Sequence, residues 1–170
     1  MGEVLELFAQ LLLLRRAPQY LPASGLLLLL TVAAYVVVNC VACSMYPPAG
    51  NWPVLLLVDV GFLLLWNGAL LKLARRPERF LQTTTAVFGF QTLLAPLLVA
   101  WAWLWQRSHG DPGWQAPLMV VGYGLLIWQV AINSRIVRAA LEWSMTASVA
   151  LVVLQTIAEQ LLQVAITVPA

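Results

Sequence analysis

Five apolar runs, each long enough to cross a bilayer as a helix, limit what this chain can fold into: Ser24 to Tyr46, Trp52 to Ala74, Phe80 to Gln106, Gln115 to Ser134 and Met145 to Val168. A hydrocarbon core roughly 30 Å thick takes about 20 helical residues to span. The connections between the runs are Pro47-Pro48-Ala49-Gly50, Arg75-Arg76-Pro77-Glu78-Arg79 and Ser108-His109-Gly110-Asp111-Pro112-Gly113. These are turn formers, they leave no room for a soluble domain, and they read as tight helical hairpins. Arg135 to Ser144 joins the last two runs and is expected to carry the helix onward before it turns.

Inside lipid a backbone must satisfy its own hydrogen bonds, so only helices or closed barrels span. Stretches such as Leu26 to Leu30 and Leu93 to Leu98 show none of the residue-by-residue alternation of a barrel strand. The expected fold is therefore all-α, a single polytopic membrane domain over residues 1–170 with five transmembrane helices. Residues 1–16 add an amphipathic interfacial helix: Glu3, Glu6 and Gln10 share one face, while Val4, Leu5, Phe8, Leu11 and Leu12 cover the rest. Its acidic start, with Arg15 and Arg16 after the apolar stretch, reads as a retained segment rather than a cleaved signal peptide. Glu6 stands where a myristoylation signal needs Ser or Thr.

Composition agrees, since 62% hydrophobic and 9% charged residues leave a soluble domain too much apolar surface to hide from water. The net charge of +2 comes from basic residues set at the ends of apolar runs, where no nucleic-acid face can form. Those residues orient the chain, because cytoplasmic flanks carry the Lys/Arg excess. With the N-terminus in the cytoplasm, Arg15, Arg16, Lys72, Arg75, Arg76, Arg79, Arg135 and Arg138 fall inside and Arg107 alone falls outside. The C-terminus is then expected on the opposite side, which is the periplasm if the membrane is the bacterial inner membrane that the resemblance given below implies.

Ionisable side chains within spans are functional candidates by default, at about +2.5–3.5 kcal/mol on insertion scales. Asp59 in the second run and Glu159 in the fifth lie at similar depths from the outer side, so they are expected to be able to meet in the bundle interior. Two carboxyls sharing one site would leave one or both protonated near neutral pH, which suits a proton or cation relay. The alternative is structural, with each hydrogen-bonded to a neighbouring helix or subunit.

Further polar residues form stripes: Ser148, Gln155 and Glu159 share a face with Gln160 and Gln163 nearby, and Gly122, Gln129 and Asn133 share another. Asn39, Asn67 and Gln91 add one to each of the first three runs. Contacts of this kind join helices for about 0.6–2 kcal/mol apiece, or else they mark a solute or ion pathway.

Other chemistry is thin. Cys40 and Cys43 are spaced Cys-x-x-Cys near the C-terminal end of a run, away from a helix N-terminus that would lower a thiol pKa, and read as packing residues. His109 is the only histidine, too few for paired haem ligands or a zinc site. Trp52, Trp101, Trp103, Trp105 and Trp114 gather at the outer boundary, where indoles anchor in headgroups. No catalytic residue, metal ligand set or cofactor motif is expected.

Two stretches carry a family resemblance. Leu14-Arg15-Arg16-Ala17-Pro18-Gln19-Tyr20-Leu21-Pro22 resembles the start of small inner-membrane proteins of proteobacteria. Arg79-Phe80-Leu81-Gln82-Thr83 leading into Ala86-Val87-Phe88-Gly89, with Trp128 to Leu141, is similar to further parts of the same group. These proteins in turn resemble the Yip1-type five-helix membrane family. The resemblance implies a five-helix bundle, a cytoplasmic N-terminus, no catalytic residues and a role exercised through partner proteins.

The function expected from these readings is non-enzymatic: an interaction or accessory protein, such as a small subunit, adaptor or assembly factor of a larger inner-membrane complex. Its partners would be the lipid bilayer and other membrane subunits or further copies of itself. The alternative is a small proton- or cation-linked carrier or channel using Asp59 and Glu159. An intramembrane enzyme ranks last, for want of a Ser/His or similar arrangement at helical spacing.

Overall fold

A computed structural model describes residues 21–45, 51–108 and 112–167. The segment expected to form the N-terminal amphipathic helix lies outside the described residues, as do His109 and Asp111. Five helices follow one another: α1 Gly25–Met45, α2 Trp52–Leu73, α3 Phe80–Arg107, α4 Pro112–Leu141 and α5 Met145–Thr167, with a 3₁₀ turn at Pro77–Arg79 before α3. All five are long and apolar enough to cross a membrane, and there is no strand among the described residues. The chain is a multi-pass membrane protein.

Local signals explain where the helices begin. Ser24 Oγ accepts a 3.4 Å hydrogen bond from the Leu27 amide and Ser144 Oγ a 3.2 Å one from the Ala147 amide, each satisfying an otherwise orphaned N–H of a first turn. Pro53 sits in the first turn of α2 and Pro112 opens α4, where a missing N–H costs nothing.

The helix of the fourth run carries on past Ser134, as expected of the Arg135 to Ser144 connection, and α4 ends at Leu141. Hydropathy falls there because Arg135 and Arg138 are exposed, yet Ile136, Val137, Ala140 and Leu141 remain buried. The apolar stripe keeps its helical period after the average has turned polar.

α3 is the hub of the bundle, packing on α1, α2 and α4, while α5 closes against α4 and α2. Its first half is enclosed on all sides, and every residue from Thr83 to Phe90 is buried. Phe88, Phe90 and Leu94 of α3 form one core with Leu63 of α2 and Ile132 and Ile136 of α4. Outward the surface stays apolar: Leu57, Leu65 and Leu73 are 73%, 76% and 77% exposed. Each such side chain would forgo about 1.5–3 kcal/mol by facing water, and lipid removes that cost.

Lys72, Arg75, Arg76, Arg79, Arg135 and Arg138 collect at one end of the bundle, the basic end, where α2 and α4 finish and α3 begins. There the chain ties two connections together. α2 stops in a Schellman motif, with Arg76 N–H bonded to Leu71 C=O at 2.8 Å and Arg75 N–H to Lys72 C=O at 3.1 Å. Arg79 Nη1 donates to the last-turn carbonyls of Ala139 and Ala140 on α4, at 2.8 and 3.2 Å. Glu142 accepts from Arg79 at 2.6 Å and takes a two-pronged bond from Arg76 at 2.9 and 2.6 Å. These guanidinium bonds hold the exposed Glu142 carboxyl below the usual carboxylate range, Arg79 contributing most and Arg76 next.

Candidate intramembrane polar site

Asp59 sits in the third turn of α2, about 10 Å along the helix from its start at a rise of 1.5 Å per residue. It is 7% exposed. A carboxyl so enclosed needs partners, and two reach it. Tyr35, from the middle of α1, donates its hydroxyl to Asp59 Oδ2 at 2.5 Å. Glu159, from α5, brings its carboxyl close enough to Asp59 for the two to interact electrostatically. Among the described residues, the Lys and Arg side chains belong to the helix ends and the turns beyond them.

Glu159 also faces a second space. It lines a polar cavity of about 140 Å³ enclosed by α3, α4 and α5, with Gln91, Gln129, Asn133, Gln155, Thr156 and Gln160 on the same wall and Leu126, Val130 and Val152 completing it. Helical spacing accounts for this convergence. Gln155 and Glu159 are one turn apart on α5, Gln129 and Asn133 one turn apart on α4, and each pair projects toward the other helix. Asn133 is 6% exposed, and its Oδ1 finds no hydrogen-bond partner; Gln91 Oε1 is likewise buried without one. Leu126 and Gln129 also line a larger groove of about 500 Å³ that holds Trp101, Trp105, Tyr123 and Gly122, toward the end opposite the basic one.

The residues anticipated from sequence thus divide. Asp59 and Glu159 are side by side, and Gln91, Gln129, Asn133 and Gln155 stand around the cavity beside them. Asn39 and Asn67 do not join the site. Each donates its amide along its own helix, Asn39 to Tyr35 C=O at 2.9 Å and Asn67 to Leu63 C=O at 2.8 Å, instead of to a neighbouring helix. A short amide side chain one turn beyond a carbonyl meets that carbonyl before it can reach across. Cys40 and Cys43 are free thiols, half-buried.

Tyr35 and Thr156 belong to the site although the sequence reading passed over them. A tyrosine amid Leu, Val and Ala, far from either end of its run, was the available signal for the first. Three further hydroxyls, Thr84, Thr85 and Ser134, are fully buried with no side-chain partner. The run Thr83-Thr84-Thr85 at the start of an apolar span was the signature of the first two.

No family model matches the chain, and no curated protein or solved structure gives a significant match to it. The likeness to the Yip1-type family therefore rests on the stretches quoted above alone.

Proposed function

We propose that this protein is a small carrier or channel that moves protons or monovalent cations, with Asp59 and Glu159 as its intramembrane charge-bearing pair. The observation that carries this reading is the approach of the two carboxyls to one another at the edge of a polar cavity within the bundle. A buried acidic pair costs stability, and packing alone is served as well by amides or hydroxyls. Flux across proteoliposomes reconstituted with the purified protein tests it. Wild type is expected to dissipate an imposed proton or sodium gradient, and Asp59→Asn and Glu159→Gln to cut the rate at least tenfold. Equal rates in wild type, variants and protein-free vesicles overturn the reading.

A second reading, a non-enzymatic subunit or assembly factor of a larger inner-membrane complex, is supported by a different feature. An apolar groove of about 620 Å³ lies open between α1 and α3, lined by Val37, Val41, Met45, Pro96, Val99 and Trp103 among others. A stoichiometric companion recovered with the protein in mild detergent favours this reading. Recovery alone or as a homo-oligomer argues against it.

A further inference from the structure

Backbone strain singles out the basic end. Among the described residues, the non-glycine positions with positive φ are Arg75 at 57° and Glu142 at 59°, and both stand there, just past the ends of α2 and α4. Glycine takes such a position without cost. Glu142 answers for its strain, because from that position its carboxylate meets both Arg76 and Arg79. Arg75 does not: its guanidinium is exposed and bonds to none of the described residues. Strain with no internal contact to offset it points to a partner outside the chain.

We propose that this end is a docking surface for anionic phospholipid, with Arg75 donating to a lipid phosphate and Lys72, Arg76 and Arg138 around it. Charge complementarity identifies the partner. Lys72, Arg75, Arg76, Arg79, Arg135 and Arg138 gather here against the carboxylates of Glu78 and Glu142, and Lys72, Arg75, Arg135 and Arg138 are exposed. Glu142 fixes their placing. Arg76 meets its carboxylate with both terminal nitrogens, while the Glu142 amide bonds Arg138 C=O at 2.8 Å, so the end of α2 is held beside the last turn of α4. A guanidinium presents a planar fork of donors that matches two phosphate oxygens.

Depth and apolar neighbours favour a lipid over a soluble polyanion. Arg135 lies about 9 Å back from the end of α4 at 1.5 Å per residue, so cations extend through the whole of a headgroup layer roughly 5–7 Å deep. Leu73 beside Lys72 and Trp143 beside Glu142 are exposed at the same end, where an acyl chain and an interfacial indole belong. Basic clusters at the ends of membrane helices attract anionic headgroups in this way.

This inference depends neither on ion transport nor on a protein companion. Purified protein in micelles of a non-ionic detergent is titrated with phosphatidylglycerol, with phosphatidylcholine of the same chains, and with glycerol phosphate as a headgroup without chains. Lipid retained in native mass spectrometry and the ligand dependence of the thermal midpoint are the readouts. Saturable binding of phosphatidylglycerol, absent with the other two, is expected. Arg75→Gln should weaken it about fivefold, the share of one Lys or Arg near an anionic surface, and Arg75→Lys should keep most of it. Arg75→Gly should weaken it equally while raising the midpoint in lipid-free micelles, which separates lipid binding from stability. Arg107→Gln, which removes a cation at the opposite end, should leave it intact. Equal binding of the two lipids, an undiminished affinity in Arg75→Gln, or an equal loss in Arg107→Gln overturns the site. Saturation by glycerol phosphate at the concentration that suffices for the lipid overturns the lipid assignment in favour of a soluble phosphate.

Discussion

The Tyr35 hydroxyl on α1 bonds Asp59 Oδ2 on α2, and the same ring meets Phe88 of α3 edge-on, with centroids 5.2 Å apart. One side chain therefore fastens three helices, through a polar tip and an apolar body. α1 relies on this, because it packs chiefly against α3 and presents Leu26, Leu29, Leu30, Val37 and Val41 outward. The polar site and the seating of α1 are mechanically the same feature.

Tyr35→Phe separates those two roles. The substitution keeps the ring contact with Phe88 and removes the only hydroxyl bonded to Asp59 among the described residues. A buried acceptor deprived of its donor costs about 1–3 kcal/mol, and unfolding in mixed detergent micelles should report a loss of that size. In the same preparation Asp59→Asn with Tyr35 intact should lose less, since an amide oxygen still accepts from the hydroxyl. A Tyr35→Phe protein as stable as wild type would remove the bond from the account of α1 docking.

Most of the architecture was legible because apolar length is a property of the chain that tertiary contacts barely alter. The runs beginning at Trp52, Phe80 and Met145 start where α2, α3 and α5 start. The helix is expected to run on past Ser134, but how much of that extension is buried is not legible from hydropathy, which averages over a helix circumference and so hides a buried stripe beneath Arg135 and Arg138. Partner choice was harder still. Asn39 and Asn133 look alike in sequence, yet one bonds its own helix and the other leaves a buried oxygen without a partner among the described residues, and only the rotation of each helix about its axis decides which. Tyr35 escaped notice for a related reason, as an aromatic ring counts as apolar until its hydroxyl is seen to meet a carboxyl.

Gly122 is required by its neighbour. A Cβ built there would lie 2.6 Å from Cζ2 and 2.9 Å from Cε2 of Trp101, well inside contact distance. Trp101 cannot simply swing aside, because its indole N–H donates to Leu118 C=O at 2.9 Å and its ring stacks on Trp105 at 6.0 Å. Gly122→Ala should therefore push α3 and α4 apart or break the indole bond, at about 1–3 kcal/mol. Thermal unfolding with tryptophan fluorescence checks both, since a displaced Trp101 changes emission before the global transition. Gly124, with open space around its missing Cβ, is the control, and Gly124→Ala should be near neutral or mildly stabilising.

Arg75 points the other way, toward a stabilising change. It follows α2 with φ of 57°, in the left-handed region where a side chain costs roughly 1–2 kcal/mol and glycine nothing. Among the described residues its exposed guanidinium makes no bond comparable to those of Arg76 and Arg79 that would offset the strain. Arg75→Gly should raise the unfolding midpoint, by up to about 1 kcal/mol after the added freedom of the unfolded chain is subtracted. A lower midpoint would mean that the charge at this end contributes more than the backbone strain costs.

The clasp at the basic end sets a pH dependence whose sign follows from Glu142. Its carboxyl is held below the ordinary value by the bonds from Arg79 and Arg76, so the folded state favours the ionised form more than the unfolded state does. Such a group adds stability that is complete above its unfolded value, near 4.5, and is lost as pH falls through the lower folded value. The difference in unfolding midpoint between wild type and Glu142→Gln should therefore stay constant from pH 7 to about 5 and shrink only in more acidic solution. Because the pair is exposed, salt should shrink it too, as screening at about 1 M reaches down to 3 Å. Arg79→Lys should lose part of the difference at every pH, since an ammonium cannot span Glu142 and the two α4 carbonyls together. A wild-type advantage that already fades between pH 7 and 5 would show that the titrating group is not Glu142.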